Sequence, residues 1–125
     1  MKFVTYNYKN SEAVGILTED EKAVVPAKSL GFRAESMNEF IDELGGRLPE
    51  LPAEPETLSF VEVKLEAPIP VPRQDVICLG LNYRDHAEEA TKADAVFDVQ
   101  RGDAVYFAKR LQRAVAPNDS IDGHF

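Results

Sequence analysis

The sequence predicts a β-rich α+β fold over residues 1–66, followed by a second segment over 67–125. Three observations predict it. Apolar and polar residues alternate through the first quarter, one well-capped helix follows, and two proline-rich strips then bracket a single further strand.

In KFVTYNY (2–8), Val4, Tyr6 and Tyr8 alternate with Thr5 and Asn7, the period of a half-buried strand. Lys9, Asn10 and Ser11 form a polar break, after which AVGILT (13–18) puts Val14 and Ile16 on one face. The charged run Glu19 to Lys22 reads as a turn before AVVP. Two or three antiparallel strands joined by hairpins fit this spacing.

Ser36 followed by Glu39 is a capping box, in which each side chain satisfies the other's free backbone N–H. Met37, Phe40, Ile41 and Leu44 recur at helical spacing and make one apolar stripe, read as core packing. Gly45 and Gly46 supply the stop.

RLPELPAEPET (47–57) carries prolines that remove backbone donors, so it reads as an extended connection. SFVEVKLEA (59–67) alternates again, with Val61, Val63 and Leu65 on one face, and APIPVP (67–72) marks the boundary between the two segments. Beyond it, DVICLGL is a continuous apolar run, the pattern of a strand buried on both faces. VYFAKR (105–110) is a further strand candidate, 91–103 reads as loop or frayed helix, and AVAPNDSIDGHF is turn-rich.

Composition narrows the function classes. The chain has 125 residues, 44% of them hydrophobic and 29% charged, the profile of one ordinary domain with its own core. No apolar run approaches the roughly 20 residues that span a bilayer, and the N-terminus lacks a signal-peptide pattern. The single cysteine, Cys78, lies in an apolar segment and reads as a buried small hydrophobe, so a cytoplasmic setting is expected. With 22 acidic and 14 basic residues the net charge is −8, against the basic stripe that nucleic acid requires. Neither nucleic acid nor membrane is expected as a partner.

The stretch GLNYRDHAEEA (80–90) is where chemistry concentrates. Asp85 and Glu88 can cap a helix whose first turn holds His86, with Glu89 three residues on over the same face. A carboxylate there can accept the imidazole N–H and raise the basicity of the other nitrogen, as a general base requires. The same spacing also describes a solvated, charged first turn. Its place at the end of an apolar strand favours a ligand site.

APIPVPRQDVICLGLNYRDHAEEA, with VYFAKR and SIDGHF further on, resembles the opening of the catalytic domain in the fumarylacetoacetate hydrolase family. The resemblance covers residues 67–125, and 1–66 resemble the small N-terminal domain of many bacterial members. It implies the truncated beginning of a mixed β-roll catalytic domain. It also implies a Mg²⁺- or Mn²⁺-dependent enzyme that cleaves, decarboxylates or isomerises 2-keto or 2,4-diketo acids through a metal-stabilised enolate. By that resemblance His86 is the catalytic base and Glu89 its orienting partner. Tyr83, Arg84 and Lys109 are substrate-binding, 91–103 becomes a lid, and the enzyme is a homodimer.

The family's metal ligands, a Glu-x-Glu pair and a later aspartate, have no match in the sequence. Glu62 and Lys64 alternate where two acids are needed, Glu88 and Glu89 are adjacent, and Asp119 and Asp122 read as turn residues. The chain is therefore expected to be an inactive fragment that binds no metal tightly. The apolar strand VICLGL needs sheet neighbours, so if this chain is the whole molecule residues 73–125 are expected to be poorly packed or buried against another subunit. The alternative is a non-catalytic acidic interaction or assembly module derived from that family.

Overall fold

The computed structural model describes residues 1–80, 83, 105–121 and 123. By internal packing the chain forms two units, Met1–Arg73 with Gln112–Phe125, and Gln74–Leu111. Residues 67–73 and 112–121, read from sequence as part of the second segment, thus pack with the first unit.

The first unit is a β-rich α+β fold, as predicted. Its strands are β1 (Lys2–Tyr8), β2 (Ser11–Leu17), β3 (Ala23–Pro26), β4 (Leu58–Ser59) and β5 (Lys64–Leu65), with one helix, α1 (Met37–Leu44). All pairings are antiparallel, in the order β4-β3-β2-β1-β5. Lys9 and Asn10 both take positive φ in the tight turn between β1 and β2, a conformation that asparagine accepts readily and lysine less so. The charged turn at 19–22 closes on Thr18, whose Oγ1 donates to Asp20 Oδ1 at 2.7 Å while the Lys22 N–H donates to the same oxygen at 3.1 Å.

The sequence 58–65 departs from its expected form. Instead of one alternating strand it makes two strands of two residues each, separated by a 3₁₀ turn at Phe60–Glu62. Val61, expected on the inner face, is 91% exposed at the tip of that turn. The physical reason is topological: β4 pairs with β3 at one edge and β5 with β1 at the other. Five residue steps with a 3₁₀ turn among them reach roughly 13 Å, whereas the outer strands of a flat five-stranded sheet stand roughly 19 Å apart. The sheet is therefore curled into a half-barrel, and the segment bridges its mouth.

Because β1 is interior to the sheet, both of its faces are covered at mid-strand. Tyr6 is buried as alternation predicts, but Thr5 is buried too, its hydroxyl donating to the Pro68 carbonyl at 2.8 Å. On one face Thr5 lies opposite Val14, and Phe3 opposite Ile16. Helix α1 supplies Met37 and Phe40 to the core cluster with Val14, Ala27 and Ala34. Phe40 is fully buried and meets Phe3 and Phe32 edge-to-face, at centroid distances of 5.4 and 4.9 Å. The capping box at Ser36 and Glu39 forms as predicted, and Gly45 closes the helix in the left-handed region. Ile41 differs from the predicted stripe: it is 47% exposed, since a stripe of one short helix turns only Met37 and Phe40 fully inward.

The second unit is an antiparallel ribbon of β6 (Val76–Gly80) and β7 (Val105–Lys109). VICLG was expected to be buried on both faces. Instead Ile77 is 69% exposed, and Val76 and Leu79 are exposed as well. With only one strand neighbour among the described residues, neither face of the ribbon is covered. Cys78 is accordingly only part-buried. Of residues 73–125, expected to pack poorly or against another subunit, the ribbon is exposed whereas 112–121 pack with the first unit.

Candidate functional site

The candidate site lies where β6 delivers the chain into the NYRDHAEE block. The antiparallel register pairs Gly80 with Val105, Cys78 with Phe107, and Val76 with Lys109. Directly opposed residues share a face, so Val76, Cys78, Phe107 and Lys109 lie on one side, and Ile77, Leu79, Tyr106 and Ala108 on the other. A side chain added at Gly80 would meet the Val105 carbonyl oxygen at 3.4 Å, so close approach does not demand glycine there.

Of the five residues singled out in the sequence, two are described. Tyr83 is 64% exposed, three residues past the end of β6. Lys109 is the last residue of β7, exposed, with its ammonium 5.8 Å from the centroid of the Phe107 ring on the same face. The register places Lys109 at the end of the ribbon away from Gly80. Four strand steps, roughly 13 Å, separate it along the ribbon from the position of Gly80. His86, Glu89 and Arg84, and the 91–103 segment, lie outside the described residues.

The described residues were also tested for a hard-cation site. No group of three or more His, Cys, Asp or Glu side chains converges among them. Asp119 is engaged by Lys64, whose Nζ donates to Oδ2 at 2.8 Å, and Glu62 sits in the exposed 3₁₀ turn. These residues do not fit a divalent ion. No helix among the described residues is long and apolar enough to cross a membrane.

In the first unit, an open groove of about 510 Å³ runs between the end of β2 and the proline strip, lined by residues that include Ile16, Leu17, Leu51 and Pro55. Its lining is mostly aliphatic, without the convergent polar groups that orient a substrate.

Sequence reasoning missed a set of contacts around the two chain segments that join the units. Arg73 forks onto Asp42 of α1, Nη1 donating to Oδ1 at 3.1 Å and Nη2 to Oδ2, and Nη2 also donates to the Asn38 carbonyl at 3.2 Å. The hydrogen bonds from Arg73 hold the Asp42 carboxyl below the usual carboxylate range. Arg113 donates to Glu12, and its guanidinium stands 3.7 Å from Glu66. These partners are 31 and 101 residues apart for Arg73–Asp42 and Arg113–Glu12, so no local pattern announces them.

No model of a known protein family matches the chain. The chain is similar to oxaloacetate tautomerase YisK of Bacillus subtilis (strain 168), 42% identical over 79 residues. That match covers 62% of this chain and 22% of the relative, so the chain spans less than a quarter of the length of the curated relative it matches. At 79 residues the match is longer than either segment, 1–66 or 67–125, and therefore crosses the boundary between them. It suggests a relation to the fumarylacetoacetate hydrolase family, whose motifs the sequence resembles.

Proposed function

We propose that the chain is part of an enzyme of the fumarylacetoacetate hydrolase family that acts on a 2-keto acid, with keto–enol isomerisation of an oxaloacetate-like substrate as the reaction. The observation that supports this most is the 42% identity to an oxaloacetate tautomerase across the boundary of the two segments. The NYRDHAEE block supplies independent chemical sense. Isomerisation of a 2-keto acid moves a proton between the carbon beside the carbonyl and the enol oxygen. A neutral imidazole at His86, its one N–H donated to Glu89, is suited to take that proton at its other nitrogen. Tyr83 and Arg84 serve the carboxylates of the substrate, and Lys109 adds positive charge at the end of the ribbon away from Gly80.

The Mg²⁺ or Mn²⁺ implied by the resemblance would polarise the keto acid when bound. No ligand set for it converges among the described residues. The roles proposed for the named residues of this chain are proton transfer and substrate positioning. The enzyme works in the cytoplasm as a homodimer.

An activity assay of the intact enzyme tests this directly. It should interconvert enol and keto oxaloacetate, followed by ultraviolet absorbance, and His86→Asn should slow it by roughly a hundredfold or more. No interconversion of oxaloacetate tautomers would instead favour the non-catalytic acidic module. Full activity in His86→Asn would remove His86 from the mechanism.

A further inference from the structure

The two segments that lead out of the first unit and back into it are tied to that unit and to each other. On the outgoing side, Thr5 Oγ1 donates to the Pro68 carbonyl at 2.8 Å, Asn38 Nδ2 donates to the Val71 carbonyl at 2.9 Å, and Arg73 forks onto Asp42. On the returning side, Arg113 engages Glu12 of β2 and Glu66 beside β5. Between the two sides, the Ala114 N–H donates to the Pro70 carbonyl at 2.7 Å.

The register gives these ties a purpose. In the ribbon, Val76 pairs with Lys109. Pro70 lies six residues before Val76 and Ala114 five after Lys109, so their hydrogen bond holds the strands side by side within one residue of the ribbon's own register. An isolated two-stranded ribbon is marginal in water, and this one has exposed apolar side chains on both faces. Holding its open end together removes much of the entropy cost of pairing strands that are joined by a long connection.

We propose that residues 67–73 and 112–114 form a latch on the first unit that holds the β6–β7 ribbon in register, with Arg73 and Arg113 as its positioning residues. The latch is built from exposed ion pairs, each weak alone, combined with carbonyl-directed hydrogen bonds that fix the path of the chain. A proline-rich strip suits the outgoing side, because its restricted backbone leaves less entropy to be lost on docking.

Amide hydrogen exchange on the 125-residue chain tests the latch. In Arg73→Gln/Arg113→Gln, amides of the ribbon ladder and of Ala114 should exchange roughly threefold or more faster, while β1–β2 amides keep their protection. Lys28→Gln, which removes a cation paired with Glu35 outside the latch, should leave the ribbon unchanged. If the double variant loses protection throughout the first unit, the parent chain in 1 M salt supplies the same comparison, since salt screens these exposed pairs. Ribbon exchange unaffected by both the variants and salt would overturn the proposal. So would ribbon amides that already exchange at the rate of an unstructured chain in the parent.

Discussion

Replacing Phe40 with alanine tests how the first unit is held together. The ring is fully buried, and two aromatic neighbours meet it edge-to-face, with interplanar angles of 89° and 90°. Each such pair contributes about 0.5–1.5 kcal/mol beyond area burial, and transfer of the side chain itself about 1.5–3 kcal/mol. The cavity cannot collapse freely, because Phe3 is held by the β1–β2 ladder and Phe32 by its N–H bond to the Ala27 carbonyl. These considerations put Phe40→Ala at about 4 kcal/mol, inside the usual range for such truncations. A unit of this size commands roughly 4–13 kcal/mol in total, so the variant should lose between about a third and all of it. Urea titration followed by far-ultraviolet circular dichroism would measure the loss, with Phe40→Leu expected to cost only about 1–1.5 kcal/mol. A loss below about 1.5 kcal/mol for Phe40→Ala would refute the view that this ring organises the core.

Gly15→Ala should cost about 1–3 kcal/mol by overpacking, since the new methyl would stand 2.6 Å from the Val25 carbonyl oxygen and 2.7 Å from Val24 Cγ1; a neutral thermal shift would contradict it. Val61→Ser should change stability by less than about 0.5 kcal/mol, because Val61 is exposed; a loss above 1 kcal/mol would restore the continuous inward-facing strand. Asp42, held ionised by Arg73, contributes stability that is present above the ordinary carboxylate pKa and lost as pH falls through its lowered folded value. Carboxyl-carbon NMR should therefore show Asp42 titrating below typical aspartates, and Arg73→Gln should bring it back up; an unchanged midpoint would remove Arg73 as the cause.

What was legible in the sequence follows the range of the interactions involved. Ser36 and Glu39 meet across three residues, and β1 and β2 across a tight turn, so spacing alone reports them. Val14 and Ile16 are buried as their alternation predicts, although Gly15 between them is buried as well. Thr5 escaped the pattern because it lies opposite core residue Val14 and its hydroxyl finds a partner in Pro68, far along the chain. Residues 58–65 escaped it because their alternation is real, but the curl of the sheet, which the local sequence does not encode, diverts them into a turn. In the candidate site, β6 and β7 were recognisable from their apolar and aromatic content, and their register was not. That register is what separates Lys109 from Gly80, a relation that requires knowing which residues pair.

The 3₁₀ turn at 60–62 also bears on how the first unit folds. One short run of chain supplies both outer strands, so pairing at one edge of the sheet shortens the loop that must close to pair the other. The two edges are thereby coupled, which favours a cooperative transition. The finished edges are two residues long, too short to template pairing with another molecule. A single exposed turn thus couples cooperative folding to protection against edge-to-edge aggregation.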